Sequence, residues 1–382
     1  MDFELTEEQL LVAKSARDFA KNEFYAAIRQ YENNGDIDKI VIKKMGELGF
    51  LGICIPHEYC GQNLDYISLG LVCIEFEKID TSIRFALTVH LALNSLTILK
   101  WGTEEQKRKY LVPQVKGEKT AAFAMAEPNA GSDIENIQTR AELESDYYIL
   151  NGEKTWITLA DVADNFLIFA KTNDKKSNNI SAFIVERGFP GVVTNTIGGK
   201  LGIRAGNTGS ISLQDVKVPR ENLLGKEGDG LKIAMSALDN GLYTIACGSV
   251  GMIENCLETS IKYANERETF GKKIGKHQLV QQMIAKMAAA RDIGRLLIYN
   301  IGWLKNKSRT NSRETFLAKW INCKSAFESA NDTLQILGAY GYNNEFNIER
   351  HFRNARSALI YGLTHEMHTL IQAEYALGYR KE

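Results

Sequence analysis

The stretch Tyr147-Tyr-Ile-Leu-Asn-Gly-Glu-Lys-Thr-Trp-Ile-Thr158 marks the middle of the chain as a β-domain. Its β-branched and aromatic residues favour strands. Asn151-Gly152 suits the type I′ turn of a hairpin, so we predict two strands that meet there. Short β-branched runs separated by turn residues follow at 166–169, 180–185, 192–197 and 210–213. They extend the predicted β-domain over residues 118–224.

On both sides of this β-domain the sequence favours helices. All five prolines lie at or before Pro219, so no proline interrupts a helix in the last part of the chain. Apolar residues recur there at helical spacing, and residues 7–20 show the same pattern near the start. We therefore predict an α+β fold with three domains: an all-helical N-domain (1–117), a middle β-barrel or sandwich (118–224) and a C-terminal four-helix bundle (225–382).

Composition and net charge limit the kinds of binding partner and the cellular location that we expect. The net charge of -1, with acidic and basic residues mixed, argues against nucleic acid or an anionic membrane surface as the main partner. We find no apolar run of membrane-spanning length and no secretory signal, and so expect a cytoplasmic protein. The six cysteines contain no CxxC pair and are expected to be free thiols. Neither a GxGxxG nor a P-loop pattern is present, so a nucleotide has to bind in another way.

Four motifs stand in a fixed order along the chain. They are Ala126-Glu-Pro-Asn-Ala-Gly-Ser-Asp133, Asn151-Gly-Glu-Lys-Thr-Trp-Ile-Thr158, Glu266-Arg-Glu-Thr-Phe-Gly-Lys-Lys-Ile-Gly-Lys-His-Gln278 and Gln335-Ile-Leu-Gly-Ala-Tyr-Gly341. Together they resemble the acyl-CoA dehydrogenase family, and the resemblance extends over nearly the whole chain. It implies an FAD-dependent oxidoreductase with helical, β and helical domains. Within the family, the chain resembles the branch that acts on acyl groups tethered to a carrier protein in secondary-metabolite biosynthesis.

The resemblance assigns a first group of residues to the flavin ring. Trp156 is expected to pack on the ring, Thr158 to hydrogen-bond near N5, and Ser132 to contact both FAD and the thioester. Taken alone, Trp156 could equally be a core residue. The full group is Phe123, Met125, Ala126, Gly131, Ser132, Trp156, Ile157 and Thr158.

A second group is expected to reach the FAD of a neighbouring subunit, which implies a homo-tetramer or homo-dimer. Thr364 and Glu366 match a loop over the adenosine part of the cofactor. The other members are Arg267, Thr269, Phe270, His277, Gln278, Gln335, Ile336, Leu337, Gly338 and Ala339. The nearby His365-Glu-Met-His368 is not the HExxH metal motif, so we predict no metal site.

The catalytic carboxylate of the family is missing. One branch carries it in a Tyr-Glu-Gly-Thr loop, which here is Tyr361-Gly362-Leu363-Thr364. A second branch carries it on a helix, where this chain has Gly241 followed by Leu242 instead of the usual arginine. Asn354 also replaces an aspartate before the loop, and we expect altered active-site electrostatics. The Gly362 N–H is still expected to polarise a thioester carbonyl.

Three explanations for the missing catalytic carboxylate stay open. Our main hypothesis is that the substrate is a short polar acyl thioester with a hydroxyl or amino group, whose oxidation needs no strong base at carbon. We expect this thioester to be carried by an acyl carrier protein rather than by CoA. A displaced carboxylate could serve in ordinary dehydrogenation, with Asp239 or Glu366 as candidates. The chain could bind flavin or carrier without turnover, and a monooxygenase or a reductase also remains. The expected electron acceptor is an electron-transfer flavoprotein or oxygen. The predicted substrate contacts are Ser132, Asp239, Gly241, Leu242, Tyr361 and Gly362.

Overall fold

The computed structural model describes residues 4–37, 39–172 and 179–380. Helices form the first region, beginning with α1, where Thr6 and Gln9 make a capping box that satisfies free N–H groups at the helix start. Its inward face buries Ala13, Ala16 and Phe19. The helices of this region are α1 (Glu7–Phe19), α2 (Ile28–Asn34), α3 (Lys39–Glu47), α4 (Tyr66–Ile79), α5 (Thr81–Leu87), α6 (Leu96–Trp101), α7 (Glu104–Gln106) and α8 (Val112–Val115).

A mixed eight-stranded sheet forms the middle region. Its order is β6-β7-β3-β2-β4-β5-β8, and β1 lies parallel beside β4. β4 and β5 are buried along almost their whole length, which explains their continuous apolar sequences. The strands are β1 (Ala121–Ala124), β2 (Arg140–Glu144), β3 (Tyr147–Thr158), β4 (Asn165–Lys171), β5 (Ile180–Glu186), β6 (Val192–Thr196), β7 (Thr208–Pro219) and β8 (Leu223–Leu224).

The last region is helical again, apart from one small hairpin. The long helices α9, α10 and α11 pack on one another, and α13 and α14 pack on α11. The predicted order of helical, β and helical regions is thereby confirmed. The elements are α9 (Gly230–Glu266), β9 (Glu268–Thr269), β10 (Lys272–Lys273), α10 (Gln278–Asn306), α11 (Ser312–Leu337), α12 (Ala339–Tyr342), α13 (Ile348–Ala358) and α14 (His365–Leu377).

The predicted hairpin at Asn151-Gly152 is wrong, because β3 continues through it as one strand of 12 residues. The pairing register of β3 with β7 shifts between Leu150 and Gly152, so the Asn-Gly pair forms a bulge. Gly152 has a φ of 154°, and a Cβ there would lie 2.5 Å from the Thr139 hydroxyl oxygen. The side chain of Asn151 accepts a hydrogen bond from the Asp215 N–H at 2.9 Å, which anchors the bulge to β7.

The expectation that no run has membrane-spanning length is also corrected. The helical segment Thr81–Trp101 is long and apolar enough to span a bilayer by length and composition. However, 83% of its most apolar window is buried inside the protein. This segment is therefore packed as a core helix, and its apolar character serves contacts with the surrounding elements.

One buried carboxylate, that of Asp80, joins all three regions. Its Oδ1 accepts a hydrogen bond from the Ser82 N–H at 2.7 Å and so caps α5. Its Oδ2 lies 2.8 Å from Arg350 Nε and accepts a hydrogen bond from Asn354 Nδ2 at 3.1 Å. Asn354 Oδ1 in turn accepts from the N–H of Ile203, in the middle region, at 2.6 Å. Asn354 thus serves a contact between regions, where we had expected an effect on the active site.

Asn354→Asp tests this contact. The substitution places a second carboxylate beside Asp80 where both side chains are 1% exposed. We expect a loss of about 3 kcal/mol in the free energy of unfolding, measured by chemical denaturation. The double variant Asp80→Asn/Asn354→Asp restores a single carboxylate and should recover much of the loss. An Asn354→Asp protein as stable as the wild type would contradict this account.

Candidate functional site

The turn between α13 and α14 has an unusual backbone. Gly362 has a φ of 62° and Leu363 a φ of 67°, so two successive residues are left-handed. Glycine adopts this conformation freely, whereas leucine loses about 1–2 kcal/mol. In the Tyr-Glu-Gly-Thr loop that this turn resembles, glycine stands at the position of Leu363. In this chain glycine stands in place of the glutamate, and the backbone strain of the left-handed conformation falls on Leu363.

The space beside Gly362 is filled by apolar side chains. A Cβ built on Gly362 would lie 3.0 Å from Leu242 Cδ2 and 3.3 Å from Ile245 Cδ1. Leu242 and Ile245 belong to a small apolar cluster of α9, α11 and α14, and Leu363 packs against it. The two departures noted in the sequence are therefore in contact, since Leu242 faces the position where the glutamate is absent.

The second carboxylate position is closed in the same way. Gly241 is buried on α9, and a Cβ there would lie 2.5 Å from Leu93 Cδ2. Leu93 lies on the apolar segment Thr81–Trp101. At both positions where a base is expected, the end of a leucine side chain lies within 3.0 Å of where a Cβ would stand, so a carboxylate side chain there would require that leucine to move.

A charged network that no sequence motif predicted lies next to the turn. Arg84 is paired with Glu77 at 2.5 Å, and both side chains are 2% exposed. Arg84 Nη2 donates to the Tyr361 hydroxyl oxygen at 3.0 Å. Burial raises the pKa of Tyr361 to about 12, so the phenol keeps its proton. Although burial lowers the pKa of Arg84, Glu77 and Tyr361 raise it overall, and the guanidinium stays charged.

The two candidates for a displaced base lie in different surroundings. Asp239 Oδ2 is 2.9 Å from Lys305 Nζ, and Asp239 lines a cavity. Glu366 is exposed in the first turn of α14, where hydrogen bonds from its own N–H and from Thr364 lower its pKa. Asp239 therefore faces a half-open cavity, whereas Glu366 faces solvent.

The cavity beside Asp239 has a volume of about 320 Å³. It lies between the start of α9, the start of α11 and the end of α14, next to the apolar cluster that contacts Gly362. Its lining combines apolar and cationic side chains, among them Lys100, Met235, Ser236, Phe316, Tyr375 and Arg380. Such a space suits a flexible chain with polar groups better than a flat aromatic ring.

Two aromatic residues have the geometry expected of cofactor contacts. Trp156 is 63% exposed with a φ of 57°, and Phe270 is 95% exposed with a φ of 50°. A bulky residue in a left-handed backbone is strained, and an exposed ring gains little packing to offset that strain. Both features are explained by a bound partner molecule, so the structure fits a flat cofactor against Trp156. The reading of Trp156 as a core residue is excluded by its exposure.

The first group of predicted flavin contacts lies around the ends of β1 and β3. Buried Lys154 donates to Glu127 Oε1 at 2.7 Å and to the Met125 carbonyl oxygen at 3.2 Å. The N–H of Thr155 donates to the Ala126 carbonyl oxygen at 3.0 Å. These bonds hold the segment that contains Met125 and Ala126 against the end of β3. Phe123 lies in β1 and Thr158 ends β3, Ile157 is buried, and Gly131 and Ser132 are exposed.

The second group lies in the C-terminal region. Arg267, Phe270 and Gln278 are exposed around the β9–β10 hairpin, and Thr269 Oγ1 is 3.3 Å from His277 Nε2. Gly338, with a φ of 60°, ends α11, and Gln335 and Ala339 are exposed beside it. Ile336 and Leu337 are buried in the bundle, so only their backbone can contact a cofactor. Thr364 caps α14 by accepting from the Met367 N–H.

The histidines of the HExH sequence have other partners. His365 Nε2 accepts a hydrogen bond from Trp320 Nε1 at 3.1 Å. His368 Nε2 lies 3.0 Å from the Gly362 carbonyl oxygen. Within the described residues, no three His, Cys, Asp or Glu side chains are grouped as metal ligands.

Sequence models of the acyl-CoA dehydrogenase domains match the N-terminal (6–118), middle (122–216) and C-terminal (228–377) parts of the chain. The short-chain specific acyl-CoA dehydrogenase of Clostridium acetobutylicum is 39% identical, over 97% of this chain and 98% of that protein. The solved butyryl-CoA dehydrogenase of Megasphaera elsdenii is 35% identical, with a TM-score of 0.96, over 99% of this chain and all of the other.

A further solved structure, the prolyl acyl carrier protein oxidase AnaB, is 29% identical with a TM-score of 0.94, over 98% of this chain and all of that one. Relatives in this fold thus include proteins named for CoA thioesters and one named for a carrier-protein thioester. The chain belongs to the acyl-CoA dehydrogenase family and is an FAD-dependent oxidoreductase of that type.

Proposed function

We propose that this flavoprotein oxidises a short polar acyl thioester at a carbon that bears a hydroxyl or amino group, in a specialised biosynthetic pathway of the cytoplasm. The thioester is carried by an acyl carrier protein in preference to CoA. The observation that supports this most is the closure of both carboxylate positions, Gly362 by Leu242 and Gly241 by Leu93. A reaction that removes a carbon-bound α-proton lacks its usual base here.

A substituted carbon removes the need for that base. Its oxidation releases a hydride from C–H and a proton from O–H or N–H, and the second proton is far more acidic than an α-proton. Bound FAD supplies the acceptor for the hydride. Water in the site can accept the other proton, so that the products are a carbonyl or imine thioester and the reduced cofactor.

Tyr361 and Arg84 support a polar substrate. No described residue accepts the hydroxyl proton of Tyr361, while its oxygen accepts from Arg84. This proton can therefore be donated to a substrate oxygen or nitrogen. The buried guanidinium holds the phenol in place, since its other contacts are with Glu77 at 2.5 Å and Thr88. An alkyl acyl chain would leave this donor without a partner.

The cavity of about 320 Å³ supports a long thioester arm. Lys100 and Arg380 at its lining suit the phosphate that a pantetheine arm carries. A carrier-protein oxidase that is 29% identical shares this fold, which is consistent with a carrier-bound substrate. The electron acceptor is proposed to be an electron-transfer flavoprotein or oxygen, and the assembly a homo-tetramer or homo-dimer in which exposed Phe270 reaches a neighbouring subunit.

Anaerobic bleaching of the flavin absorbance tests the proposal. Carrier-bound hydroxyacyl and aminoacyl thioesters should reduce the flavin at least tenfold faster than butyryl-CoA or isovaleryl-CoA, because only the former release an acidic heteroatom proton. Tyr361→Phe should slow the carrier-bound substrates and leave the FAD content unchanged. Reduction by simple acyl-CoAs alone would overturn the proposal, and no reduction by any thioester would favour a non-catalytic binding partner.

A second function, ordinary α,β-dehydrogenation, is favoured by one observation: Asp239 lines the cavity. Its carboxylate is paired with Lys305, so a proton taken there would weaken that ion pair. If Asp239 is the base, Asp239→Asn should abolish reduction by acyl-CoAs and Lys305→Met should not.

Restoring a carboxylate separates these possibilities further. Gly241→Glu with Leu93→Ala removes the 2.5 Å contact and should raise isovaleryl-CoA oxidation at least tenfold over wild type. Gly362→Glu is the comparison: its left-handed backbone and the 3.0 Å contact with Leu242 should lower the free energy of unfolding by about 1–2 kcal/mol. Equal gains of activity in both variants would show that the closure of Gly362 is unimportant.

Phe270→Ala tests the contact between subunits. Because the ring is 95% exposed, its loss should not change the fold of one chain, and far-UV circular dichroism should stay the same. We expect FAD to bind at least tenfold more weakly, measured by flavin release on dilution. Tyr342→Ala removes another ring that is 90% exposed and is the matched control. Unchanged FAD affinity in Phe270→Ala would contradict the assignment.

A further inference from the structure

We propose that Lys319 and His368 are positioning residues that hold the left-handed turn of Gly362 and Leu363, so that the Gly362 N–H remains free to bind a substrate carbonyl. This inference rests on the proposed thioester function. It adds two residues to the site, and neither was a candidate in the sequence. His368 belongs to the HExH sequence, which the flavin assignment left without a role.

Both carbonyl groups of the turn are bound from within the protein. His368 Nε2 lies 3.0 Å from the Gly362 carbonyl oxygen, and Lys319 Nζ donates to the Leu363 carbonyl oxygen at 2.9 Å. The donor side chains are almost fully buried, with 0% of His368 and 1% of Lys319 exposed. Hydrogen bonds in such surroundings are stronger than in water, and they offset the strain of Leu363.

The protonation of His368 follows from its surroundings. Burial lowers its pKa to about 4, so the ring is neutral near pH 7. Because a carbonyl oxygen accepts only, the proton must be on Nε2, which leaves Nδ1 as a bare acceptor. Nδ1 is buried without a hydrogen-bond partner among the described residues. The protein therefore tolerates an unsatisfied atom to keep this donor on Gly362.

The other side of Gly362 is fixed as well. The N–H of Tyr361 donates to the Ser357 carbonyl oxygen at 3.1 Å, and its hydroxyl is held by Arg84. These contacts restrain the backbone on both sides of the Tyr361–Gly362 peptide, which carries the Gly362 N–H. That N–H makes no hydrogen bond with any described residue. A restrained, unpartnered donor is what binding of a carbonyl oxygen requires.

Two matched probes test the role: S-acetylpantetheine, which has the thioester carbonyl, and S-ethylpantetheine, which lacks it. Their dissociation constants are measured by titration of the FAD-loaded protein. Wild type should prefer the acetyl compound, and His368→Ala or Lys319→Met should each reduce this preference about tenfold, or about 1.4 kcal/mol. Binding of the ethyl compound should change little. His368→Gln should keep the preference, because its amide can still donate to Gly362.

The outcomes are distinguishable. A preference unchanged in both His368→Ala and Lys319→Met, or an equal loss of affinity for both probes, overturns the positioning role. A wild type without any preference overturns the proposed thioester function, and this inference with it. If His368→Ala does not fold, the same measurement is made with Leu363→Gly added, since glycine adopts the left-handed conformation without strain.

Discussion

The carboxylate of Asp80 is the contact on which the arrangement of the three regions depends. It caps one helix of the first region, pairs with Arg350 of the last and, through Asn354, reaches the backbone of the middle region at Ile203. A buried charge is stable only when its partners surround it completely. The relative placement of the sheet and the helix bundle is therefore reinforced by one ion pair and three hydrogen bonds, in addition to the apolar core that the three regions share.

The site shows how a member of this family can lack the usual catalytic carboxylate and still keep a rigid binding site. Leu242 and Leu93 fill the volume beside the two glycines, so the losses are compensated by packing. The backbone at one of them, Gly362, and at Leu363 is held by His368 and Lys319, two buried side chains that are not among the predicted flavin contacts. The residues expected to react with the substrate thus differ from those that fix the backbone, so the reaction can change while the backbone geometry is retained.

The sequence predicted the order of the regions well, because proline distribution and β-branched runs are local signals. It failed at Asn151-Gly152, where a local turn signal was overridden by pairing with β7 across a bulge. It also missed the Glu77–Arg84 pair, Lys319 and His368. Arg84 reaches Tyr361, 277 positions away, and Lys319 binds Leu363, 44 positions away, and no local pattern records such contacts. His368 lies only six positions from Gly362, but its role depends on the left-handed turn between them, which the sequence did not predict. The positions of the missing carboxylates were visible; the leucines that fill the space beside them were not.

The exposure of Trp156 also has a consequence for fluorescence spectroscopy. Of the four tryptophans, Trp156 alone is classed as exposed, while Trp101, Trp303 and Trp320 are partly buried. Its indole is therefore the one whose surroundings change most when a flat ring covers it. On the predicted flavin contact, the fluorescence of Trp156 should therefore report cofactor loading.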